Sequence, residues 1–103
     1  MELTVLSVPE CPSAGAFKER ITMALAGHAG VVVYHRVIDN ELEAAESGMR
    51  GSPTLLIDGV DPFAGSDSLP GLSCRLYSDA AGRTGRVPSV QALRRVLAEA
   101  RHD

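Results

Sequence analysis

Hydrophobic residues along this chain alternate between short strand-like runs and helix-like spacings. LTVLSV, residues 3–8, is rich in β-branched residues and predicts a first strand. Apolar residues then recur at intervals of three and four, which predicts one buried face of a helix. That face consists of Ala14, Phe17, Ile21, Ala24 and Leu25. Pro12 suits the first turn of this helix, because the N–H that proline lacks would have no partner there.

A second strand and a second helix follow after two glycines. VVVYHRVI, residues 31–38, predicts the strand. Asn40 is expected to cap a short helix, with Glu43 three residues later completing a capping box. Gly48 is expected to end this helix.

The third strand is predicted in GSPTLLIDG, residues 51–59, where a proline-containing loop leads into an apolar run. Asp58-Gly59 is a strong signal for a two-residue hairpin, so residues 60–64 are expected to return antiparallel as a fourth strand. Pro62 confines that strand to a sheet edge, because proline donates no hydrogen bond.

Residues 65–88 are rich in Gly, Ser and Pro and are expected to form a long, functional loop, in which residues 72–78 (LSCRLYS) are the candidate for a short element. Ser89 is expected to cap a last helix. Its apolar face is Val90, Leu93, Val96, Leu97 and Ala100.

The order strand, helix, strand, helix, strand, strand, helix indicates a single α/β domain over residues 1–103. Because helical crossovers join the first three strands, we expect these strands to be parallel.

Composition excludes several classes of protein. The 103 residues are 45% hydrophobic and 22% charged, as in an ordinary globular domain. A net charge of −3 without a basic block argues against nucleic acid as a partner. The longest apolar runs are too short to span a bilayer, so no membrane partner is expected. The start Met1-Glu2-Leu3 lacks a cationic region before an apolar one, so we expect no signal peptide and a cytoplasmic location. Two cysteines are too few for a secreted disulfide scaffold.

Cys11 has the clearest candidate chemistry. It lies where the first strand gives way to the first helix, and a helix N-terminus favours the thiolate, the nucleophilic form of cysteine. Glu10 beside it would oppose that effect, and Ala14 stands where a dithiol enzyme has its second cysteine. The alternative is an inert thiol that fills the corner between strand and helix.

The element order, the Cys11-Pro12 pair and the Ser52-Pro53 pair before the third strand together resemble the thioredoxin-like fold, over residues 3–67 and the last helix. The resemblance implies three helices and a four-stranded mixed sheet in the order 2-1-3-4, with the last strand antiparallel. It also implies a cis Ser52–Pro53 bond that faces Cys11, with the Ser52 backbone open to pair with an extended substrate.

Two narrower resemblances concern the glutaredoxin branch and a group of short bacterial proteins. Gly65-Ser66-Asp67 stands where glutaredoxins have a glycine-rich stretch and an aspartate that caps the next helix. The lysine that glutaredoxins often carry before their cysteine has no counterpart around Ser7. The blocks GSPTLLIDGVDPF and LSCRLY look like short bacterial proteins that are labelled thioredoxin-family or organomercurial-lyase-like.

The expected catalytic residues are Cys11 and Cys74. If the predicted hairpin forms, the long loop starts at the active-site end of the sheet, and Cys74 in that loop can reach Cys11 as a resolving thiol. In the alternative, Cys74 is a small apolar side chain that fills space in a short strand. The expected substrate-binding residues are Pro12, Ser52, Pro53, Gly65, Ser66, Asp67 and Arg75. Arg75, with Arg83 and Arg86, suits an anionic substrate or a thiolate, or else forms a solvated loop surface.

These residues predict thiol–disulfide exchange, in which the Cys11 thiolate forms a mixed disulfide that Cys74 or a small external thiol releases. The expected partner is a protein disulfide or a low-molecular-weight thiol, and no cofactor is expected. The alternatives are soft-metal or organomercurial handling by the two thiols, and a redox-inactive adaptor. Cys11, Cys74 and His35 would make a metal site only if they converge. Asp61 and Asp67 are candidates for an acid or ligand, or else a hairpin-edge residue and a helix cap.

Overall fold

A computed structural model of the chain describes residues 1–27, 30–64, 71–78 and 84–100. The fold is α/β with three helices and a mixed sheet. The helices are α1 (Ala14–Ala24), α2 (Glu41–Ser47) and α3 (Val90–Ala100). The strands are β1 (Glu2–Ser7), β2 (Val32–Val37), β3 (Arg50–Ser52), β4 (Thr54–Ile57), β5 (Gly71–Cys74), β6 (Tyr77–Ser78) and β7 (Thr84–Gly85). Within the described ranges, no helix has the length and apolar character that crossing a bilayer requires.

The central sheet has three strands in the order β2-β1-β4. β1 and β2 are parallel, with Leu3 opposite Val33. β4 is antiparallel to β1, with Thr54 opposite Leu6 and Ile57 opposite Leu3. The prediction of three parallel strands is therefore wrong.

The length of α2 explains this error. Its seven residues span about 10 Å, whereas the six residues of β1 extend over about 20 Å. α2 is thus too short to return the chain along the sheet. The chain instead passes through β3 and enters β4 at the end where β1 finishes, which makes β4 antiparallel to β1.

The predicted Asp58-Gly59 turn is confirmed, but the fourth strand predicted after it is not found. Asp58 and Gly59 both have positive φ angles, 49° and 84°, and Ile57 N–H donates to the Val60 carbonyl at 2.7 Å. Pairing with β4 ends at this Ile57–Val60 bridge. Asp61 then turns its side chain inward, where it accepts the Phe63 N–H at 2.9 Å, and the chain bends away.

Two small sheets lie beyond the central one. β3 and β5 are parallel, with Arg50 opposite Gly71 and Ser52 opposite Cys74. β6 and β7 form a short antiparallel pair. The short element predicted in residues 72–78 is therefore confirmed as two strands.

The helices follow the predicted patterns. The Asn40 side chain accepts the Glu43 N–H at 2.8 Å, and Gly48 ends α2 in the left-handed region at φ 82°. Ser89 Oγ accepts the Ala92 N–H at 3.1 Å at the start of α3. Because these caps satisfy N–H groups that helix ends leave open, local sequence sets these ends of α2 and α3.

The hydrophobic core has two parts. The larger part packs α1 and α3 with the sheet and consists of Leu3, Val5, Phe17, Ile21, Ala24, Leu55, Ile57, Tyr77, Leu93, Val96 and Leu97. The smaller part lies with α2 and consists of Leu6, Ile38, Ala44 and Met49. Residues of β1 belong to both parts, so its carboxyl end, which leads to Cys11, is held in a packed frame.

Candidate functional site

Cys11 lies in a turn between β1 and α1, and its side chain is partly exposed. Its N–H donates to the Val8 carbonyl at 3.2 Å, and its own carbonyl accepts the Ala14 N–H at 3.3 Å. The preceding Glu10 has φ 57°, a left-handed conformation that L side chains seldom adopt. This turn holds the thiol just before the first helical residue while leaving it accessible.

Ser52 is the polar neighbour of the Cys11 sulfur. The Ser52 hydroxyl donates to Cys11 Sγ at 3.1 Å, and the same oxygen accepts the Val8 N–H at 3.1 Å. Because Val8 occupies the acceptor side of the hydroxyl, its proton is directed at the sulfur. The nucleophilic atom of Cys11 therefore has an oriented hydrogen-bond donor beside it.

The predicted cis geometry of the Ser52–Pro53 bond is confirmed, and its Ser52 residue contacts Cys11. The Ser52–Pro53 peptide bond is cis, and Pro53 is fully buried. Pro12, the other predicted proline of the site, lies exposed in the turn after Cys11.

Tyr77, which the sequence did not single out, holds Pro53 from the other side. The Tyr77 hydroxyl donates to the Pro53 carbonyl. Its ring packs edge-on against Phe17 and Phe63, with centroids 5.9 and 5.3 Å away. Burial raises the pKa of Tyr77 well above its ordinary value of 10, and the nearby Asp61 raises it further, against an opposing effect of Arg75. The hydroxyl therefore stays protonated and acts as a donor.

Arg75 forms a buried ion pair with Asp61. The two Arg75 guanidinium nitrogens reach the two carboxylate oxygens at 2.5 and 3.3 Å, and the side chains are only 9% and 1% exposed. The guanidinium also lies over the Tyr77 ring, 4.8 Å from its centroid. Asp61 is therefore an internal partner of Arg75 rather than a simple hairpin-edge residue. The Arg75 contacts are internal, and its predicted role in binding an anionic substrate stays a prediction.

The backbone of Ser52 is paired with β5. The Arg75 N–H donates to the Ser52 carbonyl at 3.1 Å, directly after the Ser52–Cys74 register position. The expectation that this carbonyl is open to an extended substrate is therefore wrong. The reason is that β5 forms a parallel ladder along β3, which the sequence does not reveal because about twenty residues separate the two strands.

Cys74 is described by its backbone, which lies in β5 rather than in a slack loop. Its side chain lies outside what the structure describes. The other predicted residues on this side, Gly65, Ser66 and Asp67, also lie outside the described residues, as does Arg83. Arg86 is exposed.

A second polar cluster joins β1, β2 and α1. Ser7 Oγ lies 2.6 Å from His35 Nε2, and Lys18 Nζ lies 3.4 Å from His35 Nδ1. Because an ammonium group only donates, Nδ1 is the acceptor, and Nε2 carries the proton and donates to Ser7. Burial, with a smaller effect of the Lys18 charge, lowers the pKa of His35 below 6.5. Ser7 is 1% exposed, so this pair is a structural contact and not an activated nucleophile.

Metal-binding groups do not cluster in the described part of the chain. No group of three or more His, Cys, Asp or Glu residues there is arranged to hold an ion. The combination of Cys11, Cys74 and His35 depends on the Cys74 side chain, which is outside that part.

Comparison with known proteins finds no matching family model, no significantly similar curated protein and no significantly similar solved structure. The chemistry of Cys11 and its neighbours is therefore the basis for assigning a function. That chemistry is a partly exposed thiol with a directed hydroxyl donor, next to a second cysteine-bearing strand.

Proposed function

We propose that this protein is a thioredoxin-like thiol–disulfide exchange protein that acts through Cys11. The observation that carries the proposal is the Ser52 hydroxyl, which donates to Cys11 Sγ at 3.1 Å while Val8 fixes its orientation. The thiolate is the form of cysteine that attacks disulfides, and the Ser52 hydroxyl is placed to donate to its sulfur. The partial exposure of Cys11 gives a disulfide access to the sulfur.

Support for the thioredoxin-like architecture comes from the order of the elements. A cysteine turn follows the first strand, the central sheet has the order β2-β1-β4, and the Ser52-Pro53 pair precedes β4. The cysteine turn and the Ser52-Pro53 pair are features on which the sequence resemblance rests, and they meet through the Ser52–Cys11 contact after the carboxyl end of β1.

The proposed reaction has two exchange steps. The Cys11 thiolate attacks one sulfur of a disulfide RSSR, the S–S bond breaks, and RS⁻ leaves and takes a proton from water. The Cys74 thiolate then attacks Cys11 Sγ and displaces the second RS⁻. The two cysteines lose two electrons and two protons to form a disulfide, and RSSR becomes two thiols.

The position of the Cys74 backbone supports it as the resolving residue. It lies opposite Ser52 in the β3–β5 ladder, and neighbouring strands are about 4.8 Å apart. The Ser52 side chain in turn contacts Cys11, so Ser52 lies between the Cys74 backbone and the reactive sulfur.

The test is a reaction with 2-hydroxyethyl disulfide followed by mass spectrometry of the intact chain. We expect a monomer that has lost two hydrogen atoms, with a peptide map joining Cys11 to Cys74. Cys74→Ser is expected to accumulate the mixed disulfide at Cys11, and Cys11→Ser is expected to remain unmodified. A stable Cys11 adduct on the natural chain would remove Cys74 from the mechanism.

An unreactive Cys11 on the natural chain would contradict thiol–disulfide exchange altogether. Cleavage of an organomercurial by the chain, measured as release of the hydrocarbon, would favour organometal chemistry by the thiols instead. Binding of Hg²⁺ does not discriminate, because any reactive thiol binds it.

A further inference from the structure

β3, the strand that carries Ser52, already has a partner along one edge. β5 pairs with β3 from Arg50, opposite Gly71, to Ser52, opposite Cys74. The Ser52 carbonyl accepts the Arg75 N–H at 3.1 Å, and the Gly71 N–H donates to the Met49 carbonyl at 3.1 Å. Residues 71–77, which we term the clamp segment, therefore follow the whole length of β3.

Side chains fix the clamp segment at its carboxyl end. The Tyr77 hydroxyl donates to the Pro53 carbonyl, and the Tyr77 ring is packed in the larger core. Arg75 is held by both carboxylate oxygens of Asp61, which is itself buried. Moving the segment away would take Arg75 from the buried Asp61 carboxylate and leave only Arg50, whose guanidinium nitrogen lies 3.9 Å from it, so the movement is unfavourable.

We propose that the clamp segment makes Cys11 selective for low-molecular-weight disulfides and excludes disulfides that are carried on an extended polypeptide. A polypeptide binds beside a strand by adding its backbone to a free edge. Along the edge that pairs with β5, the Ser52 carbonyl is already bonded to the Arg75 N–H, so a polypeptide strand would have to displace β5 there. Cys11 itself remains partly exposed, so a small disulfide reaches the sulfur without a backbone site. This inference rests on the proposed exchange activity.

The test compares two disulfides that have the same leaving group and differ in length. Both are mixed disulfides with thionitrobenzoate, one of N-acetylcysteinamide and one of a neutral Gly/Ser peptide with a central cysteine. The peptide has about nine residues, enough for one strand. Thionitrobenzoate is the better leaving group, so attack by Cys11 releases it, and its absorbance gives the rate.

For the natural chain we expect the peptide disulfide to react about tenfold more slowly than the N-acetylcysteinamide disulfide. A tenfold ratio corresponds to about 1.4 kcal/mol, which is roughly the contribution of one hydrogen bond. Tyr77→Phe keeps the ring but removes the donor to Pro53, so we expect the clamp segment to loosen and the ratio to fall by about threefold. Tyr34→Phe is the matched control, because Tyr34 lies exposed on β2, and it should leave the ratio unchanged.

The outcomes separate the two proposals. If the natural chain reacts with both compounds at equal rates, or faster with the peptide, the selectivity is refuted while the exchange activity stands. A ratio that Tyr77→Phe leaves unchanged refutes the role of the clamp segment. If neither compound releases thionitrobenzoate, the exchange activity itself is refuted.

Discussion

Substitution of Asp61 by asparagine should remove a large part of the stability of this domain. Asp61→Asn keeps the shape of the side chain and an oxygen for the Phe63 N–H, but it leaves the Arg75 guanidinium, 9% exposed, without a counter-charge. Breaking a buried ion pair by removing one partner costs about 3–5 kcal/mol. Because the asparagine still offers one acceptor, we expect a loss of about 3 kcal/mol. A domain of this size has a free energy of unfolding of about 5–15 kcal/mol, so the effect is easily measured.

Urea unfolding followed by far-UV circular dichroism is the suitable assay, because the chain has no tryptophan for fluorescence. With a urea dependence of about 1–3 kcal/mol/M, the unfolding midpoint should fall by about 1–3 M. Asp39→Asn is the matched control, because Asp39 is exposed, and it should change the free energy of unfolding by no more than about 0.5 kcal/mol.

A double substitution isolates the ion pair from other effects. In the Asp61→Asn background, Arg75→Met should cost much less than it does alone, because the two residues share one interaction. If Asp61→Asn alone lies within about 0.5 kcal/mol of the natural chain, the ion pair does not stabilise the fold. The anchoring of the clamp segment by Arg75 would then lose its physical basis.

Three further predictions concern the thiol, the histidine and a helix cap. Ser52→Ala should slow alkylation of Cys11 by iodoacetamide at pH 7 by about three- to tenfold, because the sulfur loses its hydrogen-bond donor. Ser47→Ala on α2 is the control and should leave the rate unchanged. An unchanged rate in Ser52→Ala would mean that the hydroxyl does not act on the sulfur. The pKa of His35 is lowered in the folded chain, so below pH 6.5 the unfolded chain binds more protons at this residue than the folded chain does. The contribution of His35 to stability is therefore complete above pH 6.5 and is lost as the pH falls towards the lowered pKa. Urea midpoints between pH 7.5 and 5 should show this decline, and His35→Gln should reduce it; an equal decline in both chains would assign it to other groups. Asn40→Ala should cost about 1 kcal/mol by removal of the cap on α2, measured in the same urea assay, and a change below about 0.3 kcal/mol would show that the cap is not needed.

Local signals in the sequence were sufficient for the helices and their ends. The apolar spacing of α1 and α3, the cap at Asn40 and the turn at Asp58-Gly59 involve residues within a few positions of one another. Such contacts depend on backbone geometry that the residue type itself determines. They were confirmed for that reason.

Contacts between distant residues account for what the sequence did not reveal. The direction of β4 depends on whether a short helix spans the sheet, and residue patterns do not measure that distance. The Arg75–Asp61 pair and the Ser7–His35 contact join residues 14 and 28 positions apart. The composition of the chain does not indicate which of its charged or polar residues pair with one another. The resemblance to a known fold implies that the Ser52-Pro53 pair faces Cys11, but it does not predict the hydrogen bond from the Ser52 hydroxyl to the sulfur.

The left-handed backbone at Glu10 determines which residues this position tolerates. At φ 57°, a side chain branched at Cβ would meet the backbone, whereas Gly, Asn and Asp fit at little cost. The carboxylate of Glu10 is exposed and can be exchanged freely, but the dihedral angle cannot, because it brings the Cys11 N–H to the Val8 carbonyl. A saturation library at this position should therefore sort by backbone preference and not by charge. Designers who wish to alter the electrostatics around the thiol thus have Gly and Asn available, and Val and Ile excluded.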